Sequence, residues 1–155
     1  MEETTSDFCP NCEKESPLTW VRKTEDFDVR GEPIAVQVEF ARCQACGEEF
    51  ENSRSALDPY AAAYRAYRAR KGMLQPEEIR EFWTKHGLTQ KEFGELLGIG
   101  MATLIRYENG ALQSEAPNRA IELAIEPGAL ALLVADNPGV LGETKTRRIL
   151  RQQGE

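Results

Sequence analysis

The sequence predicts two domains, a small β-rich one followed by an all-α one. Three observations carry that prediction. The four cysteines of this 155-residue chain form two Cys-x-x-Cys pairs, Cys9-Pro10-Asn11-Cys12 and Cys43-Gln44-Ala45-Cys46, in its first third. Between the pairs, Ile34, Val36, Val38 and Phe40 alternate with Ala35, Gln37, Glu39 and Ala41, a strand period of two. From residue 74 onward the apolar residues recur at helical spacing, punctuated by glycine and proline.

Two thiolate pairs with two residues between their members close a tetrahedral zinc site of the structural kind, with no position open for catalysis. Cys9, Cys12, Cys43 and Cys46 are therefore the expected ligands of one structural zinc ion. A domain of about 50 residues rarely holds by burial alone, so the metal contributes much of its stability. There is no apolar run near 18 residues and no charged-then-apolar leader, so the chain reads as cytoplasmic, neither membrane-spanning nor secreted. A reducing compartment favours thiolate ligation over the alternative, two disulfides. The net charge is −7, unevenly spread: residues 1–53 hold 13 acidic and 5 basic side chains, the remainder 13 and 14. An acidic first module repels DNA and attracts a basic protein partner, or it serves only solubility.

Residues 18–30 and 34–41 read as two strands broken by Arg30-Gly31-Glu32-Pro33, a hairpin between two cysteine knuckles and so a zinc-ribbon-like arrangement. A polar stretch over 50–59 ends in the turn Asp58-Pro59. Residues 60–71 form a helix with Tyr60, Ala63, Tyr64 and Tyr67 on one face and Arg65, Arg68, Arg70 and Lys71 around it. It is a linker helix packed by its tyrosines, or its basic end approaches a phosphate backbone. The division is 1–56 for the zinc-binding domain, 57–73 for the linker helix, 74–142 for the helical domain and 143–155 for a basic tail, helical or irregular over 145–151.

In the helical domain Pro76 opens a helix with Glu77 and Glu78 in its first turn, Ile79, Phe82 and Trp83 inward, and Gly87 at its end. Thr89-Gln90-Lys91-Glu92 is a capping box that starts a second helix bearing Phe93, Leu96 and Leu97. Gly98-Ile99-Gly100 turns the chain into a third helix over 101–109, closed by Gly110. Pro117 and Pro127 start two further helices, over 120–125 and 129–135, where Leu130, Leu132, Leu133 and Val134 form a dimer seam or core. His86 is a helix-terminal surface histidine. No Gly-rich phosphate loop, nucleophile beside His86 or acid–base carboxylate pair is present, so no enzyme is expected.

Two short helices about a glycine turn, behind a supporting helix, make a helix-turn-helix. Leu88-Thr89-Gln90-Lys91-Glu92-Phe93, Leu97-Gly98 and Leu104-Ile105-Arg106-Tyr107-Glu108-Asn109-Gly110 resemble the phage-repressor (XRE-type) class over about 23 residues. In that class the second helix lies over the DNA backbone and the third enters the major groove. Thr89, Gln90 and Lys91 then meet phosphate at a helix N-terminus. Leu104 points inward with Tyr107 or Glu108, leaving Met101, Ala102, Thr103 and Arg106 outward. Arg106 is the base reader, its fork matching guanine O6 and N7; a solvated or phosphate-bound arginine is the alternative.

The order of knuckle, hairpin, knuckle, linker helix and XRE-type unit resembles the MqsA/YgiT family of antitoxins from bacterial type II toxin–antitoxin systems. The marks are Cys9-Pro10-x-Cys12, Cys43-x-x-Cys46-Gly47, Gly87-Leu88-Thr89-Gln90-Lys91-Glu92 and Arg106-Tyr107-Glu108-x-Gly110-Ala111-Leu112-Gln113-Ser114. The resemblance spans roughly residues 8–135. It implies zinc on the four cysteines and an N-terminal domain that engages a toxin, often a ribonuclease. It also implies a C-terminal domain that dimerises on operator DNA and represses its own operon. The family's base-reading arginine maps to Arg106; its base-reading asparagine maps to Ala102, so a different operator is implied, with Thr103 or Met101 taking part of the contact. The rival expectations are a stand-alone phage-type regulator without a toxin and a zinc-ribbon adaptor that binds protein.

Overall fold

The cysteine pairs sit at the strand ends of one antiparallel sheet. A computed structural model describes residues 4–153, which form four strands and then seven helices. The strands β1 (Thr5–Cys9), β2 (Lys14–Val29), β3 (Glu32–Cys43) and β4 (Glu49–Phe50) lie in sequence order, each antiparallel to the next. The chain divides into two units, residues 1–67 and 68–155.

The hairpin β2–β3 is longer than its alternation predicts, because the break is only two residues wide. Arg30 (φ 50°) and Gly31 (φ 85°) both take left-handed backbone, the pattern of a type I′ turn. The Gly31 N–H donates to Asp28 Oδ1 at 3.0 Å. Pro33, read as a breaker, pairs with Asp28 one step beyond the closing pair Val29 and Glu32. In a two-residue hairpin that step is a non-hydrogen-bonded pair, so the missing N–H faces away from β2 and costs no ladder bond. The flanking strands β1 and β4 hold five and two residues, too few to show a period.

The alternation in β3 buries one face: Ile34, Val36 and Val38 are all under 7% exposed. Nearer the cysteines, Cys9, Leu18, Ala41 and Cys43 form a small core, with Cys12, Trp20 and Phe50 packed on it. Helix α1 (Pro59–Lys71) starts where Asp58 Oδ1 accepts the Ala61 N–H at 3.1 Å. Its Tyr60 ring meets Phe27 edge-on at 5.3 Å, and Tyr67 lies under the Arg30 guanidinium at 5.8 Å. Buried Glu39 accepts the Ala56 N–H (2.9 Å), the Ser55 hydroxyl (3.2 Å) and Arg22 Nε (3.1 Å). The Ala56 N–H, aided by Arg22 and Ser55 and against the burial, holds that carboxyl below the usual range.

The second unit contains α2 (Pro76–Lys85), α3 (Gln90–Leu97), α4 (Met101–Glu108), α5 (Glu115–Ile125), α6 (Ala129–Asp136) and α7 (Glu143–Gln153). One core joins them, drawn from Ile79, Phe93, Leu104, Ile121, Leu130 and Ile149 among others, all 1% exposed or less. Helix α5 starts earlier than expected: Pro117 lies in its first turn, where the N–H has no intrahelical partner to lose. The apolar run of α6 divides. Leu130 and Val134 are core, while Leu132 (67%) and Leu123 of α5 (60%) face outward. The basic tail is helical over Glu143–Gln153, with Ile149 fully buried. Arg68, 2% exposed, donates to Gln113 Oε1 and Gln75 Oε1 and to the carbonyls of Gly110 and Ala111, which follow α4. Among the described residues no helix is long and apolar enough to cross a membrane.

Candidate metal centre and nucleic-acid interface

Each cysteine pair occupies a knuckle of the same construction. After β1, the Glu13 N–H returns to the Cys9 carbonyl at 2.8 Å; after β3, the Gly47 N–H returns to the Cys43 carbonyl at 2.8 Å. The fifth residue of each turn is left-handed, Glu13 at φ 57° and Gly47 at φ 77°. Only the second knuckle uses glycine, and for Glu13 that backbone costs about 1–2 kcal/mol. Within the first, the Cys12 N–H points at Cys9 Sγ (3.4 Å). The register brings the knuckles together, since Leu18 of β2 pairs with both Thr5 of β1 and Cys43 of β3.

The four Sγ atoms lie within 4.8 Å of one another, with Cys9 to Cys46 at 3.7 Å and Cys12 to Cys43 at 3.8 Å. No disulfide is formed. A tetrahedron with metal–sulfur bonds of about 2.3 Å has edges of about 3.8 Å, so the donor set fits a tetrathiolate metal centre. Cys9 and Cys43 are buried, Cys12 half-buried and Cys46 exposed. The Cys46 N–H, then that of Ala45, stabilise the Cys43 thiolate against its burial and lower its pKa to about 6. Cys12 is pushed up to about 12, first by sharing its proton with Cys46 and then by burial. Cys9, Cys12, Cys43 and Cys46 would hold a cation as four thiolates, the cation's charge displacing that proton.

In the second unit the α3 N-terminus is built by the expected capping box. Thr89 Oγ1 accepts the Glu92 N–H at 3.1 Å, and Glu92 Oε1 accepts the Thr89 N–H at 2.9 Å. The box leaves the N–H groups of Gln90 and Lys91 with no acceptor among the described residues, at the positive end of the helix. Burial opposes ionisation of Glu92, but Lys145 and the Thr89 N–H outweigh it and hold the carboxyl below the usual range. Gly98, at φ 70°, ends α3, and the Ile99 N–H returns to the Gly94 carbonyl at 2.9 Å. Gly94 itself is required, because a Cβ there would stand 2.8 Å from the Ile99 carbonyl oxygen.

Helix α4 is anchored by Leu104 and Tyr107 in the core and by Glu108, which accepts Trp83 Nε1 (3.1 Å), Arg80 Nε (3.4 Å) and the Gln90 amide. Thr89 and Lys91 are exposed, as are Met101, Ala102 and Arg106 on the outer face of α4; Thr103 is half-buried. Gln90 differs from its neighbours, for its side chain turns inward to Glu108. Sequence reasoning missed Ile105, 36% exposed between Ala102 and Arg106 on the same face. Its position one residue past buried Leu104 was the available signal. His86 ends α2, half-buried against the Phe82 ring at 4.7 Å.

Comparison with known proteins bears on both sites. A family model described as the antitoxin component of a bacterial toxin–antitoxin system, MqsA, matches residues 7–124, including all four cysteines and α2 to α4. Antitoxin MqsA of Escherichia coli (strain K12) is 30% identical over 108 residues, covering 68% of this chain and 81% of that protein. The family model thus spans more than half of the chain, and the chain belongs to the MqsA antitoxin family.

Proposed function

We propose that the chain is a non-enzymatic cytoplasmic antitoxin that binds operator DNA as a homodimer and represses its own promoter. Helices α3 and α4 act as an XRE-type helix-turn-helix. One observation carries the reading: the core rigidly anchors α4 through Leu104 and Tyr107, while Met101, Ala102, Ile105 and Arg106 are presented outward beside a bare α3 N-terminus. The backbone N–H groups of Gln90 and Lys91, with the Thr89 and Lys91 side chains, take phosphate. Arg106 reads a guanine, and the apolar side chains of Met101, Ala102 and Ile105 meet base methyl groups, with Thr103 alongside. The exposed leucines Leu123 and Leu132 form the seam with a second copy, so that two α4 helices enter successive major grooves about 34 Å apart. Zinc on Cys9, Cys12, Cys43 and Cys46 holds the N-terminal sheet, whose acidic surface meets a basic, ribonuclease-like toxin.

The test is a mobility-shift competition on the chain's own upstream DNA against scrambled DNA at fixed salt. The wild-type protein prefers its own promoter, and Arg106→Ala loses about 1–3 kcal/mol of that preference while still binding DNA. Equal binding to both DNAs by zinc-loaded wild type would sink the repressor reading and leave a protein-binding adaptor in its place.

A further inference from the structure

The family match ends at residue 124, and α7 lies wholly beyond it. Of its charged residues four are basic, Lys145, Arg147, Arg148 and Arg151, against Glu143 alone. One of these cations is tied to the start of α3 and another to the end of α2. Lys145 Nζ lies 2.7 Å from Glu92 Oε1, the capping-box carboxylate. It neutralises a carboxylate that would otherwise repel a phosphate at that helix end. Arg148 Nη2 donates to the His86 carbonyl at 2.9 Å, and a Cβ on Gly87 would stand 2.4 Å from the same nitrogen. The guanidinium therefore lies directly on Gly87, two residues before Thr89. That carbonyl engages one of its five N–H donors, and the side chain is exposed.

The buried Ile149 fixes the rotation of α7, so that Thr144, Arg147, Arg148 and Arg151 line one outer surface. Arg147 pairs weakly with Glu143 on its own helix at 3.7 Å, both side chains being at least 74% exposed. We propose that α7 is a second phosphate-binding surface, in which Arg148 and Arg151 grip the DNA backbone beside the phosphate taken by the α3 N-terminus. This rests on the helix-turn-helix reading and adds to it a contact outside the matched family region. The occupant is DNA backbone of any sequence, because the surface is cationic and its charge is carried by exposed arginines. Arginine is suited to it, since the planar fork binds two phosphate oxygens at once.

The experiment measures the dissociation constant of the full, zinc-loaded chain for promoter and scrambled DNA across a series of salt concentrations. Wild type, Arg148→Gln/Arg151→Gln, Arg151→Gln and Arg106→Ala are compared, with circular dichroism and thermal unfolding as the check on folding. The double variant weakens both DNAs by the same factor and lowers the slope of log affinity against log salt by about 2, and the single variant by about 1. Arg106→Ala instead changes the ratio between the two DNAs. Because Arg148 also ties α7 to His86, Arg151→Gln alone decides the matter if the double variant fails to fold. Folded α7 variants with wild-type slope and affinity would overturn the α7 surface while leaving the helix-turn-helix intact. A wild type that binds neither DNA would overturn both.

Discussion

Removing the Glu108 carboxylate should unfasten the second unit more than any other single polar change. Its side chain is 1% exposed and joins three helices, accepting from Trp83 of α2, from Gln90 of α3 and from Arg80. Arg80 is 60% exposed, so that pair contributes no more than about 1 kcal/mol. The other two are hydrogen bonds to a buried charge, each worth about 1.5–3 kcal/mol, and Glu108→Ala leaves both donors stranded. The expected cost is about 4 kcal/mol, a fall in Tm of about 15–30 °C for a unit of this size. Glu108→Gln should cost only about 1 kcal/mol, since one oxygen still accepts from Trp83 and the Gln90 amide can turn over to accept in its place. Urea denaturation in a Trp20→Phe background, followed by Trp83 fluorescence, reports this unit. A Glu108→Ala cost below about 1 kcal/mol, or equal costs for the Ala and Gln variants, would refute the reasoning.

Stripping the metal should melt the sheet and spare the helices. Strong chelator, or Cys43→Ser, is expected to abolish strand signal in circular dichroism while the α2–α7 unit keeps its own transition, because metal-binding energy is on the order of 10 kcal/mol and the local core is small. The knuckles should respond oppositely to one exchange: Glu13→Gly relieves a left-handed glutamate and raises thermal stability by about 1 kcal/mol, whereas Gly47→Ala lowers it by about the same. Acid should weaken the second unit through His86, whose pKa is lowered by burial and then by Lys85 and Arg148. The unfolded chain then binds the proton first, so stability is full above about pH 6.5 and falls as pH drops below it. His86→Gln should flatten that limb of a Tm-against-pH curve; an unchanged limb would assign it to other groups.

Features encoded in neighbouring residues were legible in the sequence. The Cys-x-x-Cys spacings, the Thr89–Glu92 capping box and the period of two in β3 each depend on residues a few places apart, and all three were found in the structure. What escaped is set by residues far away in the chain. Two- and five-residue strands have no readable period, so β1 and β4 emerge only when the register with β2 and β3 is known. The run Ala129 to Ala135 is apolar at almost every position, and nothing local separates buried Leu130 from exposed Leu132. That the Gln90 side chain turns to Glu108 was not legible, because its partner lies 18 residues on. Helix α7 carries one deeply buried apolar residue, Ile149, too little for an amphipathic stripe, so the sequence leaves open whether this basic tail is helical.

The Arg68 cluster has a practical consequence for dissecting the chain. A C-terminal fragment cut after the linker helix, at residue 72 or later, lacks the guanidinium that bonds the Gly110 and Ala111 carbonyls and Gln113. Gln113 is 1% exposed and would lose a partner that water cannot easily replace. Such a fragment would expose the segment joining α4 to α5, and its stability would understate that of the same unit in the intact protein. The independent C-terminal piece therefore begins upstream of Arg68, within the last turns of α1 and not after it.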